Sequence, residues 1–235
     1  MVKALLLLLL DSRAPAGAHH HSGGMEAAIM TGLVTDLADA EDFCQTRLRT
    51  SAKVSAAFAA ASCRSFIDER GDVPAQLTLL DAEYGARIPS EATRRASREL
   101  GRGLWRLLRS VLCNSDLAEA DLATAFSRCA GPAPHQPLVL GAGVALAGGD
   151  PELAARAAAL GVCAGPASAA VRLLGLDPFA VQAMLARLAP EVDACAVAAA
   201  RAAEGPPRSL PADGAPALDL LADYHLTAEV RLFAS

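Results

Sequence analysis

Aromatic residues are scarce in this chain. They make up 4% of 235 residues, with one tryptophan and two tyrosines, while 53% of the chain is hydrophobic. Alanine and leucine carry that apolar fraction, and as the strongest helix formers they favour closely packed helices over a β core. Cysteines are present but not arranged for chemistry. Cys44, Cys63, Cys113, Cys129, Cys163 and Cys195 are far apart and none forms Cys-x-x-Cys, so neither a zinc site nor a dithiol motif is written. In a helical chain with an ample core they read as buried thiols of a reducing compartment. No run of roughly eighteen apolar residues is present to span a bilayer. Lys3, the apolar run Ala4 to Leu10 and the small residues Ala16-Gly17-Ala18 imitate a secretory signal. That run is short and Asp11 closes it at once, so Leu5 to Leu10 is read as a first core helix of a cytoplasmic protein. The net charge of −5 and pI near 5.5 provide no general basic surface for nucleic acid. Catalytic patterns are missing too. His135 and His225 have no nearby serine or cysteine in a nucleophile motif, Gly141-x-Gly143 has no strand before it, and no acidic pairs cluster. These absences argue against an enzyme.

What is present is helical signal almost from end to end. Asp36 caps a segment in which Leu37, Ala40, Phe43, Cys44 and Leu48 recur at helical spacing, and an alanine-rich run follows from Ser51 to Gly71. Pro74 to Ile88 forms a shorter helix. Ser90 begins another, with Leu100, Leu104, Leu107, Leu108 and Val111 on its apolar face. On that helix Arg95, Arg98, Arg102, Arg106 and Arg109 share a side that can meet phosphate or an acidic protein, or simply face solvent beside Glu91 and Glu99. Asp116 to Cys129 is a further helix. Leu138 to Gly148 is apolar on all sides and so central. Asp150-Pro151 and Asp177-Pro178 each pair an N-cap with a proline at the first helical position. Gly165-Pro166 interrupts the segment between them. The expectation is an all-α, single-domain bundle of roughly eight to ten helices with a flexible C-terminal tail. Residues 1–204 are the helical domain, 205–216 a Pro/Gly linker, and 217–235 a separable tail, mobile in the free protein. Its Leu218, Leu220, Leu221, Tyr224, Leu226, Leu232 and Phe233 are too apolar for a solvated tail and should find a groove on a partner or a dimer mate.

The most particular stretch is residues 11–26. Asp11, Ser12, Pro15, Gly17, His21, Ser22, Gly24 and Glu26 fall on an ordered pattern of Asp-Ser, proline, glycine and His-Ser-x-Gly-x-Glu. In physical terms it is a loop feeding a helix: Pro15 and Gly17 break what precedes, Ser22 can cap, and Gly23 and Gly24 allow close backbone approach. This stretch resembles the N-terminal signature of the urease accessory protein F family. The resemblance continues in Ala96-Ser97 with Gly101, in Ser168 to Leu173 with its Arg172, and in Arg231-Leu232-Phe233-Ala234-Ser235. It implies a non-catalytic factor without cofactor. Such a factor joins a second accessory protein of D or H type and a nickel-carrying GTPase of G type on apo-urease, and ties GTP hydrolysis to nickel insertion into the urease active site. It also implies a homodimer in the working complex, with no nucleic acid and no membrane involved. The tail residues Tyr224, His225, Arg231, Leu232, Phe233 and Ser235 are the expected partner-binding set. No metal site is assigned. The alternative is a direct nickel-binding carrier using His19, His20 and His21, since imidazole is a good nickel ligand; adjacent histidines diverge, however, and would need ligands from elsewhere.

Overall fold

The computed structural model describes residues 4–11, 20–68, 72–111, 126, 133–226 and 232–234. Among these residues there is no strand. In chain order the helices are α1 (Ala4–Leu10), α2 (Met25–Met30), α3 (Leu37–Arg49), α4 (Ser51–Ile67), α5 (Val73–Ala86), α6 (Glu91–Val111), α7 (Gln136–Leu146), α8 (Pro151–Leu174), α9 (Pro178–Ala202) and α10 (Pro216–Leu226), with a 3-10 turn at Pro207–Ser209. Of the helix expected over Asp116–Cys129 only Phe126 is among the described residues, buried with its ring edge-on to Trp105; Cys113 and Cys129 lie outside them.

Four helix starts share one device. Asp36, Asp72, Asp150 and Asp177 each accept a hydrogen bond from a backbone N–H two or three residues on, at 3.0, 3.1, 2.8 and 3.0 Å. Three of these caps precede a proline in the first turn, at Pro74, Pro151 and Pro178, where a missing N–H costs nothing and φ is already helical.

Helix α4 is the axis of the bundle, packed by α3, α5, α7, α8 and α9. Its Ala52, Ala56, Ala57, Ala59 and Ala60 are fully buried, and such small side chains let neighbouring backbones come close. At Gly141 of α7 the approach is so close that a Cβ would collide with the Ala59 carbonyl oxygen. Ser62 Oγ donates to the Leu138 carbonyl at 2.7 Å across the same interface. Helix α7 is buried all round from Pro137 to Val144, matching its uniformly apolar sequence. In α1, Leu6 and Leu9 are buried against the bundle while Leu7 and Leu8 face out.

Two features depart from the sequence reading. Helix α8 runs unbroken through Gly165-Pro166. A proline at 166 cannot donate to the carbonyl of residue 162, and that freed oxygen instead accepts from Arg47 Nε of α3 at 3.2 Å. The carbonyl that the proline leaves over is thus satisfied by a side chain from another element. By length and composition α8 would also pass as a bilayer span, but it packs against α2, α3, α4, α7 and α9 as a core helix. The second departure concerns α6, whose basic face is narrower than expected. Arg98 turns inward, its Nη2 3.1 Å from the buried Asp81 carboxylate of α5, and Arg94 donates to the Ile88 and Pro89 carbonyls. Arg95, Arg102, Arg106 and Arg109 remain exposed, with Arg95 3.1 Å from Glu99.

Candidate partner-docking site

The signature loop makes its turn with two left-handed glycines, Gly23 at φ 60° and Gly24 at φ 87°. Gly24 is the N-cap of α2 and has no side chain to cap with. Ser22 does that work from two residues earlier, its Oγ accepting from Glu26 N at 3.3 Å. A Cβ at Gly23 would stand 3.0 Å from Pro166 Cγ, so the loop rests directly on the proline turn of α8.

Glu26, in the first turn of α2, is only 4% exposed. A buried carboxylate needs donors, and Glu26 receives them from the far end of the chain. His225 Nε2 of α10 lies 2.7 Å from Oε2, Leu232 N donates to Oε1 at 2.7 Å, and Phe233 N donates to Oε2 at 3.1 Å. The contact to the carboxylate places the His225 proton on Nε2, and its Nδ1 is buried with no hydrogen-bond partner among the described residues. Alongside, Ala234 N donates to the His20 carbonyl at 2.7 Å. Residues 232–234 thus form a clasp across the signature loop.

The side chains of the clasp divide between inside and outside. Phe233 is 6% exposed, with the Arg172 guanidinium of α8 4.2 Å from its ring centroid, a cation–π contact. Leu232 points the other way and is 78% exposed. Leu220 and Tyr224 of α10 are exposed as well, as are Met30 and Leu33 at the end of α2, the helix against which α10 packs. Helix α10 is also tied to α6: Asp223 Oδ1 accepts from Ser90 Oγ at 2.6 Å and from Ala92 N at 3.2 Å, capping the α6 N-terminus. The 217–226 part of the expected mobile tail is therefore a helix seated on the bundle, with Leu218 and Leu221 packed on the core.

Of the residues singled out from sequence, the structure brings His21, Ser22, Gly24, Glu26, His225, Leu232 and Phe233 to one end of the bundle, with Tyr224 on the exposed side of α10. Asp11 directly follows the last residue of α1. Ser12, Pro15, Gly17, His19, Arg231 and Ser235 lie outside the described residues. Among the described residues no group of three or more histidine, cysteine or carboxylate side chains is placed to hold a metal ion. A second polar cluster went unread in the sequence. Asp81 accepts from His135 N at 3.1 Å and pairs with Arg98, while His135 Nδ1 lies 3.1 Å from Ser97 Oγ. Burial, and then the Arg98 guanidinium, hold the His135 ring down to about 4. A neutral, enclosed imidazole braces α5, α6 and α7 and is a weak base.

The UreF family model matches residues 34–189. The chain belongs to the UreF family. It is 41% identical over 232 residues to a protein of Mycobacterium marinum named urease accessory protein UreF, covering 99% of this chain and 98% of that one. A protein of the same name from Mycolicibacterium vanbaalenii is 43% identical over 235 residues, again covering 99% and 98%. The likeness to UreF proteins thus extends beyond the span of the family model to both halves of the clasp, the signature loop and the tail.

Proposed function

We propose that this UreF-family protein is a non-catalytic cytoplasmic assembly factor. It binds the D/H-type accessory protein and the nickel-carrying G-type GTPase on apo-urease, and it couples GTP hydrolysis to nickel insertion, acting as a homodimer in that complex. The observation that carries this reading is the clasp. It holds the tail against the signature loop with buried polar contacts and leaves Leu232, Leu220 and Tyr224 on the outside. Exposed large apolar side chains on an ordered surface are the usual anchors of a protein interface. Phe233, taken up by Arg172, shapes that surface from behind. The partner-binding set is then Tyr224 and Leu232 at the surface, with His225 and Phe233 holding them in place.

The test is urease activation in cells lacking this gene but retaining the other accessory genes, together with co-purification of Leu232→Ser and Leu220→Ser variants with the two partners. Loss of activation at limiting nickel and reduced recovery of the complex are expected. Full urease activity in the deletion strain would overturn the assignment. Nickel stoichiometry on the pure protein separates this reading from a carrier that uses His19, His20 and His21.

A further inference from the structure

A cavity of about 290 Å³ lies beside the clasp, between the signature loop, α4, α6, α8 and α10. Two of its walls carry charge. Arg47 reaches in from α3, with Nη2 lying 3.6 Å from where a Gly23 Cβ would be. Its guanidinium donates through Nε to the Val162 carbonyl and lies 6.0 Å from the Phe43 ring centroid. No carboxylate comes within 4.0 Å of it among the described residues. Arg87 lines the same cavity and shows what a satisfied arginine looks like here: it pairs with Glu83 and donates to the Pro207, Arg208, Leu210 and Pro211 carbonyls. Asp219 of α10 lines the same cavity and has no ion pair among the described residues either, its one polar partner there being the Ser90 backbone N–H. Its neighbours are engaged, Asp213 with Lys53 at 3.1 Å and Asp223 with the α6 N-terminus. Burial lowers the Arg47 value from the ordinary arginine range, with the Asp219 charge opposing the shift, and burial followed by the nearby Asp223 raises that of Asp219, against which the Ser90 backbone N–H and the Arg47 charge act.

A cation and an anion therefore line one cavity without touching. An isolated charge in a partly desolvated site is costly, and a ligand that neutralises it recovers that cost. A simple carboxylate ligand would bring a second negative charge up to Asp219, and a simple amine would bring a second positive charge up to Arg47. A molecule bearing both charges satisfies both walls and leaves the cavity neutral. The remaining lining suits its body: Val54 and Leu218 are apolar, while Ser55 and Tyr84, 3.0 Å apart through their hydroxyls, offer hydrogen bonds. The volume falls just under the lower end of ligand sites, about 300 Å³, and so suits only a small molecule.

We propose that this cavity binds a small zwitterion, an amino-acid-like molecule whose carboxylate meets the Arg47 guanidinium and whose ammonium meets Asp219. This goes beyond the assembly reading and does not depend on it. The test is calorimetric titration of the full chain with ω-amino acids from glycine to 6-aminohexanoate, each matched by the acid and the amine of the same length. One chain length should bind saturably, at least tenfold tighter than its matched acid and amine. Arg47→Lys, which keeps the charge and removes the fork, should weaken that ligand by about tenfold or more. Asp219→Asn should abolish the advantage of the zwitterion over the acid, and thermal melts of both variants confirm that they fold. Absence of saturable binding across the series, equal binding of acid and zwitterion by the native chain, or unchanged binding by both variants would each overturn the assignment.

Discussion

Replacing Glu26 by glutamine should release the clasp while leaving the bundle standing. The native carboxylate accepts from His225 Nε2, Leu232 N and Phe233 N. A glutamine of the same shape retains one accepting oxygen, and its amide nitrogen turns N–H groups toward donors. At least one contact to a charged group is lost and one donor is left facing another, a loss of about 2–4 kcal/mol. The opposing term is the order imposed on residues 232–234, about 1–2 kcal/mol each. The clasp is thus held by a small surplus, and the substitution should tip it open. Hydrogen exchange at Leu232, Phe233 and Ala234, read by mass spectrometry of the C-terminal peptide, should accelerate by about 30-fold or more, each 1.4 kcal/mol being a factor of ten. Exchange within α4 and α7, which supply none of the hydrogen bonds to the Glu26 carboxylate, should change little. Unaltered protection at Leu232 and Phe233 in Glu26→Gln would refute the reasoning, because the tail would then be held by something other than this carboxylate.

Gly24→Val should cost about 1–2 kcal/mol or more in urea denaturation, because a β-branched residue is forced to φ 87°; His20→Ala, which keeps the carbonyl that Ala234 uses, should stay within about 0.5 kcal/mol. His135 is neutral in the fold, with its value held to about 4, and protonates near 6.5 when unfolded, so the unfolded state binds the extra proton between those limits. Stability should therefore fall as pH drops from about 6.5 to 4, by up to about 3 kcal/mol from this group, and His135→Asn should flatten that part of the stability–pH curve. Burial pushes the thiols of Cys44 and Cys63 up to about 12 and Cys163 to about 11. Their thiolate fraction at pH 8 is about one in a thousand or less, so brief alkylation of native protein should leave all three peptides unmodified, and denaturation should expose them.

The local devices of this fold were legible in the sequence. Asp36, Asp150 and Asp177 act on N–H groups two or three residues away, and a cap with a following proline reads the same in any context. The apolar run in α7 announced a buried helix for the same reason. Features that depend on distant partners were not legible. Pro166 reads as a break until Arg47, from α3, supplies a donor for the Val162 carbonyl. Arg98 reads as one of a basic row until Asp81 from α5 draws it inward. The residues of the signature loop and of the tail were each visible as special, but nothing in either segment states that Glu26 meets Leu232 and Phe233. The apolar tail signalled a need for burial and not whether the groove belonged to a partner or to the chain itself.

The separation of 206 residues between Glu26 and Leu232 also sets an order of events at the ribosome. At synthesis rates of about 5–20 residues per second, the carboxylate exists for about 10–40 s before its last donors are made. Helices α3 to α9 are all translated within that interval and hold most of the buried alanine and leucine, so the bundle can consolidate while the signature loop is still open to water. In this order of synthesis the open-loop form precedes the closed one, and closure of the clasp is the last step by which the two ends of the chain are joined.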